Sequence, residues 1–377
     1  MLYSDSSGGS LLRGQCALWI VICLSVSALG QTSEPPFEVT WVRGKCIGCK
    51  VAADLDRIQW LSRDQAWAIG WSFPPPGAQG SGDYVLVRTG DAGRTWRELP
   101  DTWQHAGPPA FWFLNASIGW FSCFNAYCTH DVAGAEVRRT IDAGSHWNIM
   151  TQKTAVFDMR FADELNGIAQ AFDVGDPIVR TTDGGRTWSK VDPPHLKKAE
   201  NVVLLSGQVA WVTDHEGEDL LIFRTTDGGR SFEESRTSLP SDWPIVREIS
   251  FVDRNHGWIV LSHKQDDEVR LLQTTDGGRT WVPTAIPSVR SAIWEPQSDV
   301  LGFVSAQTGF VFSTETEGPP SWDPKDRKVL FTSDGGVHWR QSSLPYSVRR
   351  CQALLGDLLC SADQKDSHFG ILTLHPK

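Results

Sequence analysis

The chain has 377 residues, 40% of them hydrophobic and 21% charged, with a formal net charge of −10. That acidity argues against a nucleic-acid binder, since such binding draws most of its free energy from Lys and Arg neutralising phosphates; it keeps the protein soluble and says little else. The length allows two domains, but repeats running through nearly all of residues 31–377 favour one.

At the N-terminus Arg13 precedes an apolar run over residues 16–29, and Ala28-Leu29-Gly30 places small residues where a signal peptidase would cut. The run is short for a membrane-spanning helix. Residues 1–30 are therefore expected to be a signal peptide, with an uncleaved anchor as the competing reading, and residues 31–377 a single exported domain, periplasmic or extracellular. No lipoprotein-type context surrounds Cys16 or Cys23. Membrane contact is expected only through an uncleaved N-terminal segment.

Next, Phe37-Glu38-Val39-Thr40-Trp41-Val42 alternates as a strand does. Beyond it the cysteines fall into close pairs, Cys46 with Cys49, Cys123 with Cys128 and Cys351 with Cys360. In an exported chain such pairs are disulfide candidates. The Cys46-Ile47-Gly48-Cys49 spacing also suits a redox site or half a zinc site, but Lys50 stands where haem attachment needs His, and no second such motif exists.

One phrase is then written six times: RTGDAGRTW (88–96), RTIDAGSHW (139–147), RTTDGGRTW (180–188), RTTDGGRSF (224–232), QTTDGGRTW (273–281) and FTSDGGVHW (331–339). Each follows a short β-type run. Asp accepts hydrogen bonds from nearby backbone N–H groups and Gly supplies the positive φ of a tight reversal, so each phrase is expected to be a hairpin turn. Upstream lies a small residue followed by a large apolar one, as in Gly70-Trp71, Gly119-Trp120, Gly167-Ile168, Ala210-Trp211, Gly257-Trp258 and Gly309-Phe310. A third short run lies further upstream, so one unit contains four strands. Asp91, Asp142, Asp183, Asp227, Asp276 and Asp334 are 51, 41, 44, 49 and 58 residues apart, which fits four-stranded propeller blades with variable loops.

The tail from residue 350 to 377 offers three more apolar runs without the Asp phrase, a blade lacking its last strand. The run beginning at Phe37 supplies that strand and would close the ring, removing its open edges. The expected fold is all-β: a seven-bladed β-propeller of four-stranded antiparallel blades, closed by the N-terminal strand.

The phrase S/T-x-D-G-G-x-T-W is that of the Asp-box, or bacterial neuraminidase repeat. With runs such as Asn255-His256-Gly257-Trp258-Ile259-Val260, residues 31–377 resemble the seven-bladed photosystem II stability and assembly factor family and its relatives in non-photosynthetic bacteria. The resemblance implies a propeller and, in that family, a non-enzymatic role in helping a membrane complex assemble. The same turn occurs in sialidases, sortilin-type receptors and some endoglucanases, away from the catalytic site, so fold alone does not assign chemistry.

In such blades the six Asp turns share one face, and the long loops around residues 72–83, 101–110, 214–219, 233–244, 264–268 and 313–326 share the other. Binding residues concentrate on such loops. The candidates there are Asp214, His215 and Glu216, part of an acidic run that could ligate a cation such as calcium or bind a basic partner, and Trp103, Trp243 and Trp322, which could stack on a sugar or peptide. The competing readings are a solvated turn and tryptophans tucked under their own loops. Arg88, Arg139, Arg180 and Arg224 share one repeat position and are expected to support their hairpins.

A sialidase-like enzyme would need a tyrosine nucleophile with its glutamate, an acid/base Asp and three clamping arginines. None of Tyr84, Tyr127 and Tyr346 sits in a phrase like that family's catalytic strand, and Asp173 with Asp176 or Asp214 with Glu216 are the carboxylate pairs left for another glycosidase. Serine-hydrolase, zinc-protease and phosphate-loop signatures do not occur. The expectation is thus a binding scaffold for a protein or envelope component, with carbohydrate as another possible ligand, without catalytic residues, metal or cofactor; the alternative is a secreted glycoside hydrolase.

Overall fold

A computed structural model describes residues 35–47, 51–72, 83–99, 110–124, 135–152, 154, 156–171, 178–191, 193–197, 199–263, 268–287, 301–313, 328–344, 346–364 and 368–377. Every regular element among them is a strand. Pro36–Lys377 make one unit, with seven sheets of successive strands as expected. The blades begin with the inner strands Val51–Trp60, Ala110–Phe113, Val156–Phe161, Asn201–Leu204, Ile245–Phe251, Leu301–Phe303 and Ser347–Leu354, here blades 1 to 7.

Second and third strands lie between neighbouring blades and are covered on both faces, which is why they read as near-continuous apolar runs. All of Gly257–Ser262 is buried, whereas the outer strand Glu233–Ser238 is exposed or half-buried throughout.

The small-then-large phrase has a packing cause. Gly119, Gly167, Gly257 and Gly309 pair across the sheet with Phe113, Phe161, Phe251 and Phe303. A Cβ on any of these glycines would come within 2.4 to 2.8 Å of that ring. The large residue that follows stacks instead on the inner-strand Phe of the next blade: Trp120 on Phe161 at 3.6 Å, Trp211 on Phe251 at 3.6 Å and Trp258 on Phe303 at 3.5 Å. The Trp closing the Asp turn meets the same Phe edge-on, as Trp188 meets Phe161 at 6.0 Å and 78°. Each such three-ring cluster bolts one blade to the next, and ring contacts of this kind add about 0.5–1.5 kcal/mol beyond the area they bury.

The Asp turns are built as expected, with one partner the Asp-Gly pattern did not disclose. In blade 1 the Thr89 hydroxyl accepts from the Gly93 N–H (3.0 Å) and donates to Asp91 Oδ1 (2.9 Å), while Asp91 accepts from the Thr95 N–H (2.8 Å) and hydroxyl (2.6 Å). The same Thr recurs as Thr140, Thr181, Thr225, Thr274 and Thr332. His146 and His338 replace the second Thr, and their Nδ1 atoms lie 2.7 Å from Asp142 and Asp334.

These bonds hold the Asp carboxyls below their ordinary range. His146, by side chain and then backbone, brings Asp142 to about 2, and His338, by backbone and then side chain, brings Asp334 to about 2. For Asp227 and Asp276 burial pushes upward, but the bonds from Ser231 and Thr280 outweigh it and bring both to about 2; Asp91 and Asp183 are lowered by the same balance. A carboxyl whose folded pKa lies below its unfolded value of about 3.9 contributes stability above that pH and loses it as pH falls through the folded pKa. Melting temperature is therefore expected to drop steeply between pH 4 and pH 2, and to drop less in Asp227→Asn. A flat profile over that window would contradict this.

The ring closes as expected. Phe37–Arg43 is the outer strand of blade 7 and pairs antiparallel with His368–Pro376, from Phe37 opposite Pro376 to Arg43 opposite Gly370. One element was not expected: Lys45–Ile47 adds to blade 1 as a fifth strand, parallel to Thr95–Glu98. The chain thus passes directly from the outer edge of blade 7 to that of blade 1, clasping both.

Candidate functional site

The loop-face cluster differs from the sequence expectation. Residues 214–219 are not an acidic loop: they end the paired strands Ala210–Glu216 and Asp219–Thr225, with Gly217 and Glu218 at the reversal. Likewise residues 233–238 are strand rather than loop. Asp214 is buried and accepts from the N–H groups of Lys197 and His215, both at 2.8 Å. His215 bonds Glu200 through Nδ1. Glu216 sits between Lys197 Nζ (2.8 Å) and Arg236 Nη1 (2.9 Å), which together hold its carboxyl below the ordinary range. Arg236 continues to Glu234, which His195 also contacts at 2.9 Å. The acids are therefore matched by bases from the neighbouring link and strand, and among the described residues no group of His, Cys, Asp and Glu is arranged to hold a metal ion.

Trp243 is 4% exposed and lies under the Arg270 guanidinium at 4.1 Å, with His263 beside it at 5.1 Å. It is a core residue of the blade 4 to blade 5 link, not a stacking platform. Trp103 and Trp322 lie outside the described residues, as do Asp173 and Asp176. The Sγ atoms of Cys351 and Cys360 are 2.07 Å apart, at disulfide-bonding distance, across the first two strands of blade 7. The other two cysteine pairs each have a member, Cys49 and Cys128, outside the described residues.

Two of the repeated arginines reach the next blade, and Arg224 also pairs with Glu233 of its own hairpin at 3.4 Å, in line with the expected hairpin support. Arg139 of blade 2 bonds Glu164 in blade 3 at 2.5 Å, and Arg224 of blade 4 donates to the Arg254 carbonyl of blade 5 at 3.1 Å.

The feature that sequence reasoning missed is a cavity of about 670 Å³ on the propeller axis. Its lining includes Arg57, Trp112, Asp158, Arg160, Arg350 and Gln352, from blades 1, 2, 3 and 7. Inner strands run from the loop face to the Asp-turn face, and the lining residues are among their last, such as 249–252 of blade 5, so the cavity lies toward the Asp turns. Asp158, the one carboxylate among the described lining residues, is bonded to Arg160 Nη1 at 2.5 Å, and the Arg160 guanidinium lies 4.6 Å over the Trp112 ring. Among the described lining residues three are arginines and one is an acid. The available signal was an ionisable residue at alternate positions of an otherwise apolar inner strand, as in Asp158-Met159-Arg160.

These features define an Asp-turn propeller of seven blades. No family model matches the chain, and no curated protein matches it. Solved structures do. A structure described as YCF48 bound to D1 peptide is similar with TM-score 0.58 and 14% identity, covering 92% of this chain and 98% of that one. YCF48 from Cyanidioschyzon merolae is similar at 0.53 and 12%, covering 90% and 99%. A GH74 xyloglucanase from Xanthomonas campestris is similar at 0.50 and 12%, covering 82% of this chain and 51% of that one. At such identities the likeness is one of fold.

Proposed function

We propose that this chain is a non-catalytic, exported propeller that binds a protein partner or envelope component through its loop-rich face. The observation that carries this reading is the state of its carboxylates. A glycosidase needs two acids flanking one bond, about 5–9.5 Å apart. Among the described residues the axial cavity has Asp158 alone, paired with Arg160, and on blade 4 Asp214 is buried and Glu216 is held by two bases. The similar YCF48 structure is described with a D1 peptide bound, which supports a polypeptide as the kind of ligand a propeller of this shape holds.

The competing reading is a glycoside hydrolase, favoured only by the similar xyloglucanase fold. The two are separated by photo-crosslinking from the loop face in cells producing the protein. The binding reading expects a discrete protein adduct there; a glycan adduct accompanied by turnover would support the enzyme.

A further inference from the structure

On the Asp-turn face, at the seam of blades 1 and 2, lies a pocket of about 290 Å³ lined by Gln65, Trp67, Arg88, Thr95, Arg97 and Ala116, among others. We propose that it is an anion site, binding a carboxylate or phosphate group between Arg88 and Arg97.

The sister blades show what is missing. At the repeat position of Arg88, Arg139 of blade 2 is neutralised by Glu164 in the turn of the next blade, and Arg224 of blade 4 has Glu233 directly opposite across its strand pair, 3.4 Å away. In blade 1 both counter-charges are absent. Ala116 stands in the next blade's turn, and the residue opposite Arg88 is Arg97. Like charges facing each other across a strand pair repel. The one hydrogen bond of Arg88 is long, 3.4 Å to the Ala143 carbonyl. Asp91, whose carboxylate is engaged by Thr89 and Thr95, does not line the pocket.

A second observation is independent of charge. Trp120 and Trp211 donate their indole N–H groups to Gly184 and Gly277 of the next blade, each at 2.9 Å. Of their counterparts, Trp67 and Trp258 have no hydrogen-bond partner at Nε1, and Trp67, 3% exposed, is the one that lines this pocket. An oxyanion held by the two guanidinium groups relieves their repulsion by charge-assisted bonds.

The test titrates inorganic phosphate and, separately, acetate into the full protein by calorimetry at fixed ionic strength. Two exposed positions are varied: Ala116→Glu, which restores the arrangement around Arg139, and Arg97→Glu, which restores that of Arg224. Wild type is expected to bind at least one probe. Binding that is stronger for acetate points to an acidic side chain or chain terminus as the natural occupant, and binding that is stronger for phosphate points to a phosphorylated one. Both variants should weaken binding about ten-fold or more, as for loss of a bond to a charged group. Ala116→Glu should also raise the melting temperature in buffer without either probe. Binding of neither probe, or binding unchanged in both variants, would overturn the proposal.

Discussion

Replacing Trp120 with Ala is expected to destabilise the propeller by about 4–5 kcal/mol, the upper range for a buried aromatic truncated in a close-packed core. Trp120 is fully buried, stacks on Phe161 of the next blade at 3.6 Å, and donates to the Gly184 carbonyl at 2.9 Å. Truncation therefore opens a cavity at a blade seam, removes a stacking contact and strands a carbonyl. The neighbours cannot collapse to fill the space, because the strands on both sides are held in their own sheets. Trp120→Phe keeps a ring on Phe161 and loses the indole bond, so its expected cost is only about 1–2 kcal/mol. Denaturant midpoints with unchanged slopes measure both. A loss below about 1 kcal/mol for Trp120→Ala would mean that the stacked rings are not what joins the blades.

The second large effect concerns closure. Deleting residues 36–43 should yield a chain that self-associates and unfolds well before the full protein. Phe37 is 1% exposed and meets Phe310 edge-on at 5.4 Å, and Trp41 stacks on Tyr346 at 4.8 Å; losing Phe37 alone costs about 3–5 kcal/mol. The deletion also leaves His368–Pro376 as an open edge, a template for pairing with another chain. Gly370→Ala approaches the same state by a point change. Its Cβ would lie 2.4 Å from the Val42 carbonyl oxygen and 2.6 Å from the Trp41 ring, so the closing strand must move away. A peptide of residues 35–44 added to the deleted chain should restore monomer and midpoint. A deleted chain that stays monomeric with an unchanged midpoint would show that the ring does not depend on this strand.

What the sequence disclosed follows from how far each interaction reaches along the chain. Each Asp turn is a set of bonds within seven residues, such as Thr89 to Thr95, so the pattern is visible locally and marks six of the seven blades; the seventh shows only as the apolar runs of the tail and the strand at Phe37. The Gly-Trp phrase is legible as strand, but its meaning is not: Gly119 yields to Phe113 across the sheet while Trp120 reaches Phe161, 41 residues on. The acids at 214 and 216 stand out in sequence, whereas the groups that engage them, Lys197 and Arg236, come from elements 17 to 20 residues away. The axial cavity is the extreme case, since Arg57, Arg160 and Arg350 meet only once the ring has closed. The short parallel strand Lys45–Ile47 escapes detection because three residues carry no periodicity.

The most direct measurement is face-resolved photo-crosslinking. A photoreactive residue is placed at Glu218, the exposed reversal on the loop face, and in a second variant at Leu165, exposed on the Asp-turn face. Binding of a protein or envelope component through the loop-rich face predicts a discrete adduct from position 218 and none of the same mass from position 165. The same adduct from position 165 alone, or no adduct from 218 together with turnover of a glycoside that Asp158→Asn abolishes, would contradict it.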